Sequence, residues 1–430
     1  MAQEKHELAP TAGFQWRSHA LSNGVQVLLI PTPGRLVFSL QTWIGVGSAH
    51  DPQGLSGMAH LFEHLMFKGT ALVPDGDFDR RVEAMGGRTN AATWLDWTFY
   101  YLDAPLDELE EAVFLESNRL VHFELDEERL SEEREVVLNE RREQVEDDPD
   151  GRLIEELWTM IFPDGAYGRP TLGWMEDVKK ITLDDCRTFY ARGYSADRVV
   201  LVLAGDVMEE TALSLLEAAY GQLPPSGQRT SMASVGRSGD WSRRDLFLPT
   251  VGERFVLGAR APDATHIDCS ALQVINEVLL EGDSSRLQRR LIAEDEVVAA
   301  AYGYLSLLRD CGVYEMGFDL RPGCSADAVI DRVRAELKSV VQNGLTPLEI
   351  QRAKARLQTR FYRGLQTNQQ RAEALGYWSI VAEDAGFLLT RAERLDAVDQ
   401  TAILRAARRW LDHDDWSLVV AHPMGDRPEA

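Results

Sequence analysis

The sequence predicts an α+β chain of two repeats, and three observations carry that reading. The length of 430 residues exceeds one ordinary core and suits two domains of about 200 residues each. Residues 224–244 are dense in Pro, Ser, Gly and Arg without periodicity and read as an interdomain linker. The order of strands and helices before that stretch begins again after it, so the expected domains are 1–223 and 245–430.

The first half opens with Asn23-Gly24 between alternating stretches, a hairpin signal, followed by an apolar strand at 36–46. A helix is expected over 58–68, started by Ser56 or Gly57 and ended by Gly69. Gly86-Gly87 leads into 88–101, whose Thr, Trp, Phe and Tyr content reads as a strand pair. Two acidic periodic helices follow at 107–122 and 126–146, then a helix at 183–190 and the strand 198–204. In the second half, strand 255–261 precedes helices at 270–281 and 345–361, and helix 400–411 with strand 416–421 closes it as the first half closes.

Hydrophobic residues make up 44% and charged residues 27%, the balance of a folded globular protein. Acidic residues number 69 and basic ones 45, a net charge of -24, which argues against a nucleic-acid partner. Cys186, Cys269, Cys311 and Cys324 are far apart, so neither a disulfide framework nor a thiolate zinc site is expected. Residues 1–13 hold no apolar signal region, and no run approaches the roughly 18 apolar residues of a membrane span. The expectation is a cytoplasmic protein without a membrane partner, or a periplasmic one if a signal peptide has been removed.

The chemistry concentrates at His60-Leu61-Phe62-Glu63-His64. On a helix His60 and His64 are four apart and share a face, where two imidazoles converge on one ion. Two neutral imidazoles suit zinc, and Glu63 beside them is placed to take a proton from the attacking water. The order H-x-x-E-H reverses the commoner zinc-helix motif. Leu61, Phe62, Leu65 and Met66 form the expected core face of the same helix. A third protein ligand is needed, and the acidic helix 126–146 offers several glutamates. Composition does not choose among them. The apolar run Val136-Val137-Leu138 before Asn139-Glu140 narrows the choice by anchoring that turn to a core, and Glu133, two turns earlier, is placed to hydrogen-bond a histidine ligand.

These residues resemble the pitrilysin and mitochondrial-processing-peptidase superfamily of inverzincin metallopeptidases (M16), particularly its bacterial zinc-binding subunits. The resemblance runs from about Leu21 to Val420, with matching blocks at 57–70, 133–140 and 167–170. It implies two homologous α+β repeats, mostly antiparallel sheet with helices packed on one face, and a zinc-dependent endopeptidase acting on peptides or unfolded polypeptides. It assigns the third ligand to Glu140 and the supporting glutamate to Glu133, with one zinc per chain. The segment Gly86-Gly87-Arg88-Thr89-Asn90-Ala91-Ala92-Thr93 is similar to the family's substrate strand, so Asn90, Ala91 and Thr93 are expected to meet the peptide main chain.

The second half resembles the inactive repeat, because its counterpart of the zinc helix, around Leu272 to Val278, has no histidine. Complete C-terminal repeats carry an arginine and a tyrosine that stabilise the oxyanion, and here Ile292 and Ala299 stand in their places. The resemblance therefore implies a heterodimer with a homologous zinc-free subunit that supplies the pair. A homodimeric peptidase and a non-catalytic core or assembly subunit are the competing readings.

Overall fold

The structure is a computed structural model in which residues 5–7, 14–226, 242–412 and 416–426 are described. The chain forms two compact units. The first takes the described residues within 1–140, 169–233 and 361–389, and the second those within 141–168, 234–360 and 390–430. Each unit thus owns one segment from the other half of the sequence. Of the expected linker 224–244, residues 227–241 lie outside the described residues, and residues 242–244 already open a strand.

In the first unit the strands are β1 (Lys5–Glu7), β2 (Gln15–Ala20), β3 (Gln26–Pro31), β4 (Val37–Ile44), β5 (Arg88–Thr93), β6 (Thr98–Pro105) and β7 (Val199–Gly205). They lie in the order β1-β2-β3-β7-β4-β6-β5, and only β3 and β7 run parallel. Strand alternation sorts β4 between two layers. Phe38, Leu40 and Ile44 join the main core under helices Met58–Leu65, Leu109–Val121, Leu183–Gly193 and Glu209–Tyr220. Each such fully buried side chain contributes about 1.5–3 kcal/mol of transfer free energy. On the opposite parity, the Gln41 side chain donates to the Gln369 carbonyl at 3.0 Å. Trp43, one strand position further along that face, packs on Gly376 so closely that a Cβ there would overlap the indole. Helix Asn368–Val381 therefore covers the second face of this sheet.

The second unit holds β8 (Ser242–Leu248), β9 (Arg254–Ala261), β10 (Val298–Ser306), β11 (Gly312–Leu320) and β12 (Ser417–Pro423), in the order β10-β11-β9-β12-β8. This reproduces β5-β6-β4-β7-β3 of the first unit strand for strand. The parallel pair recurs as well, β8 with β12 where the first unit has β3 with β7. Helices Cys269–Leu280, Ala326–Asn343 and Gln400–Trp410 cover one face. Helix Pro149–Ile161 lies on the other, where Gly258 leaves room for Leu157 and Ile161.

At the end of β12, His422 bridges two carboxylates, with Nε2 2.8 Å from Asp245 and Nδ1 2.7 Å from Glu253. Partial burial lowers its pKa, but the hydrogen bonds to Asp245 and Glu253 and their charges outweigh this and leave it raised. A histidine raised above its unfolded value of about 6.5 stabilises the fold below that value. The contribution is lost as pH rises through the higher folded value. Melting temperatures from pH 6 to 9 should therefore fall less steeply in His422→Gln than in the unsubstituted protein. Equal slopes would show that the bridge is not ionic.

Candidate metal centre

Helix Met58–Leu65 starts from Gly57 at φ 88°, a left-handed residue that other side chains adopt only with strain. A Cβ on Gly57 would also sit 2.9 Å from the Cα of Gly173, so two loops meet where this helix begins. Leu61, Phe62, Leu65 and Met66 are all buried, as their spacing predicts. Phe62 packs on Phe123, Phe189 and Tyr194 with ring centroids 5.5, 5.1 and 5.4 Å away. That packing fixes the helix rotation. The α-helix stops at Leu65, three residues short of the expected end, because the amides of Phe67 and Lys68 turn back to the nearer carbonyls of His64 and Leu65.

The other glutamates come from helix Glu127–Arg141. Val137 and Leu138 are fully buried, but Val136 is 46% exposed. The expected three-residue anchor is thus a two-residue one, because successive residues on a helix point about 100° apart. Glu133 and Glu140 share one side of the helix. Glu140 Oε2 lies 3.3 Å from His64 Nε2 and 3.7 Å from His60 Nε2. Glu133 reaches His64 Nδ1 with one oxygen at 3.3 Å and the Lys68 ammonium with the other at 2.6 Å.

Burial, then the neighbouring His64, pushes the His60 imidazole down to about 4 against the pull of Glu140. His60 is thereby neutral and its lone pair is available. Burial also disfavours the charged form of His64, but hydrogen bonds to Glu133 and Glu140 and their charges raise it to about 9. The two histidines are thus pulled in opposite directions by environments one helical turn apart. A cation among them would replace the proton that His64 shares with Glu140.

The donors fit such an ion. One donor atom each from His60, His64 and Glu140 lies within 4.8 Å of the other two, and the described residues contain no second cluster of this kind. Two imidazoles and a carboxylate with a fourth position open form a catalytic zinc donor set. Glu133 on His64 Nδ1 leaves Nε2 to face the ion.

Glu63 is half-buried beside the cluster. Burial holds its carboxyl above the usual range, while the nearby Thr93 hydroxyl and the charge of His64 draw it down. Thr93, at the end of β5, thus lies near Glu63, and its hydroxyl donates to Thr98 Oγ1 at 3.4 Å. Asn90 is exposed, and its side chain accepts the amide of Ala91 at 2.9 Å. Ala91 is half-buried against the main core. Among the described residues β5 ends the sheet and pairs only with β6, which leaves its outer edge for an added strand.

Two contacts lay outside the sequence reading. Lys68 stands four residues after His64, a spacing that puts it on the same face, yet only the folded position of Glu133 shows what it holds. The other is the nearness of Thr93 to Glu63.

In the second unit, helix Cys269–Leu280 has no histidine at all. Glu277 there pairs with Arg356 and Arg360 at 2.8 and 3.1 Å. Ile292 lies half-buried against the second core in the π-helical turn Arg289–Glu294. Ala299 is exposed on β10.

Two converging histidines, a glutamate and an adjoining carboxylate on one α+β unit define a metal-dependent hydrolase type of site. Comparison with known proteins gives the family. The description "Insulinase (Peptidase family M16)" matches residues 26–174, and "Peptidase M16 inactive domain" matches residues 180–357. An uncharacterized zinc protease of Streptomyces coelicolor is 30% identical over 96% of this chain and 88% of its own. A zinc protease of Helicobacter pylori is 26% identical over 94% of this chain and 92% of its own. The crystal structure of a protease from Helicobacter pylori superimposes with a TM-score of 0.89 at 24% identity, over 95% of this chain and 99% of that one. The chain belongs to peptidase family M16. No helix among the described residues is long and apolar enough to cross a membrane.

Proposed function

We propose that this chain is the zinc-bearing catalytic subunit of an endopeptidase that cleaves peptides or unfolded polypeptides. The observation that carries the proposal is the convergence of His60, His64 and Glu140 with Glu63 at their side. Zinc held by those three residues supplies Lewis acidity to the peptide carbonyl and the attacking water. Glu63 takes the proton of that water on its carboxylate and later delivers it to the leaving amine nitrogen. Glu133, steadied by Lys68, fixes the tautomer of His64. The substrate main chain lies along β5 near Asn90, Ala91 and Thr93.

Ile292 and Ala299 offer no donor to the developing oxyanion, which supports a heterodimer with a homologous zinc-free subunit bearing an arginine and a tyrosine. The intact ligand set weighs against a purely structural assembly subunit. Four unpaired cysteines suit a reducing, cytoplasmic setting better than a periplasmic one.

Metal analysis of purified protein should give one zinc per chain, and His64→Ala should lose it. Chelation should stop hydrolysis of an unfolded peptide by the assembled enzyme and zinc should restore it. Protein without stoichiometric zinc, or hydrolysis indifferent to its removal, refutes the proposal.

A further inference from the structure

We infer that Asp51, seven residues before the first residue of the metal-site helix, is a positioning residue that fixes the His60 ligand by capping that helix from outside. The inference rests on the zinc reading above. His60 is the third residue of helix Met58–Leu65. It therefore lies in the first turn, whose amides have no intrahelical acceptors and which frays before the rest. The residue that would ordinarily cap those amides is Gly57, which has no side chain. Asp51 fills the gap. One carboxylate oxygen accepts the amide of Gly57 at 2.7 Å, and the other accepts the amide of Ala59 at 2.9 Å.

Ala59 immediately precedes His60, so the second bond fixes the backbone from which the ligand projects. Burial pushes the Asp51 carboxyl up to about 7, while the Ala59 amide, the charge of Arg169 and the Gly57 amide favour its ionised form, which suits the positive end of the helix dipole. Asp51 is only 4% exposed, so neither amide finds water as a substitute partner. The loop carrying Asp51 is held in turn by Arg169, whose guanidinium donates to the carbonyls of Asp51 at 2.6 Å and Ala49 at 3.0 Å. The Asp51 carboxylate bonds the amides of Gly57 and Ala59, so it acts through the helix start.

Asp51→Asn keeps the size and one acceptor, and Asp51→Ala removes both. Zinc affinity is measured by competition with a chromophoric chelator, alongside the melting temperature of the metal-free protein and kcat and KM of the assembled enzyme. Ser56→Ala is the control. It breaks the bonds of the Ser56 hydroxyl to Asp177 at 2.8 Å and to the Trp174 amide at 2.9 Å in the same loop, without touching the cap. Asp51→Asn should weaken zinc binding about tenfold and Asp51→Ala up to about a hundredfold, the range seen when supports of metal ligands are removed. Both should lower kcat with KM little changed. Ser56→Ala should lower the melting temperature yet leave zinc affinity as it was.

Unchanged zinc affinity in folded Asp51→Asn overturns the proposal. So does an equal loss of affinity in Ser56→Ala, which would reduce Asp51 to loop stability. Unsubstituted protein that binds no zinc overturns the underlying site reading and this one with it, and is recognised before any variant is compared.

Discussion

Glu63→Gln should leave zinc content, melting temperature and KM near those of the unsubstituted protein while kcat falls by about 10²–10⁴, the usual share of a positioned proton acceptor. The exchange is nearly isosteric, so the glutamine fits the half-buried place of the carboxylate. His60, His64 and Glu140 keep their convergence, because Glu63 is not one of the cluster. What disappears is a group able to hold a proton between the attacking water and the leaving amine. Single-turnover hydrolysis of a fluorogenic peptide by the assembled enzyme reads the effect directly. Full activity in Glu63→Gln, in a preparation free of other peptidases, would remove Glu63 from the chemistry.

That site was legible in the sequence because its main parts are local. Four-residue spacing alone puts His60 and His64 on one helical face, and seven-residue spacing does the same for Glu133 and Glu140. The matched blocks then joined the two helices into one centre. The apolar periodicity around Phe62 likewise gave the buried face of the first helix. The Val136 error shows the limit of that reasoning, since three consecutive apolar residues on a helix do not share a face and Val136 faces outward.

Other features depend on partners that are remote in sequence. Neither helix Pro149–Ile161 nor helix Asn368–Val381 is expected from the sequence, and local spacing does not tell which sheet receives either. Each packs on the sheet of the other half of the sequence, and close contacts at Gly258 and Gly376 accompany that choice. The cap on His60 escaped for the same reason. Gly57 reads as a helix start without a capping side chain, and the carboxylate that replaces it comes from beyond the ordinary capping positions. The repeat itself was visible only as an order of elements, whereas the matched strand orders of the two sheets show it outright.

The isolated chain should hydrolyse an unfolded peptide slowly, and a homologous zinc-free subunit carrying the arginine and tyrosine should raise kcat/KM by about 10²–10³. That factor is the contribution of an oxyanion donor in a preorganised site. This chain's own second unit has no substitute at the matching positions. Ile292 is an apolar side chain packed against the second core, and Ala299 is a methyl group on an exposed strand. Tyr302 and Tyr304 stand exposed further along β10, but Asp295 and Val297, seven residues before them, are not arginines. A partner whose arginine and tyrosine have been replaced should still bind the chain but should not activate it, which separates donation of those groups from mere stabilisation. Zinc stoichiometry should stay at one per heterodimer, because the partner contributes donors to the substrate and no metal ligands. Size-exclusion chromatography with the two chains mixed, followed by activity across the eluted peak, makes the comparison in one experiment. Full activity in a peak containing only this chain would instead establish the homodimeric peptidase and require an oxyanion donor other than the arginine and tyrosine pair.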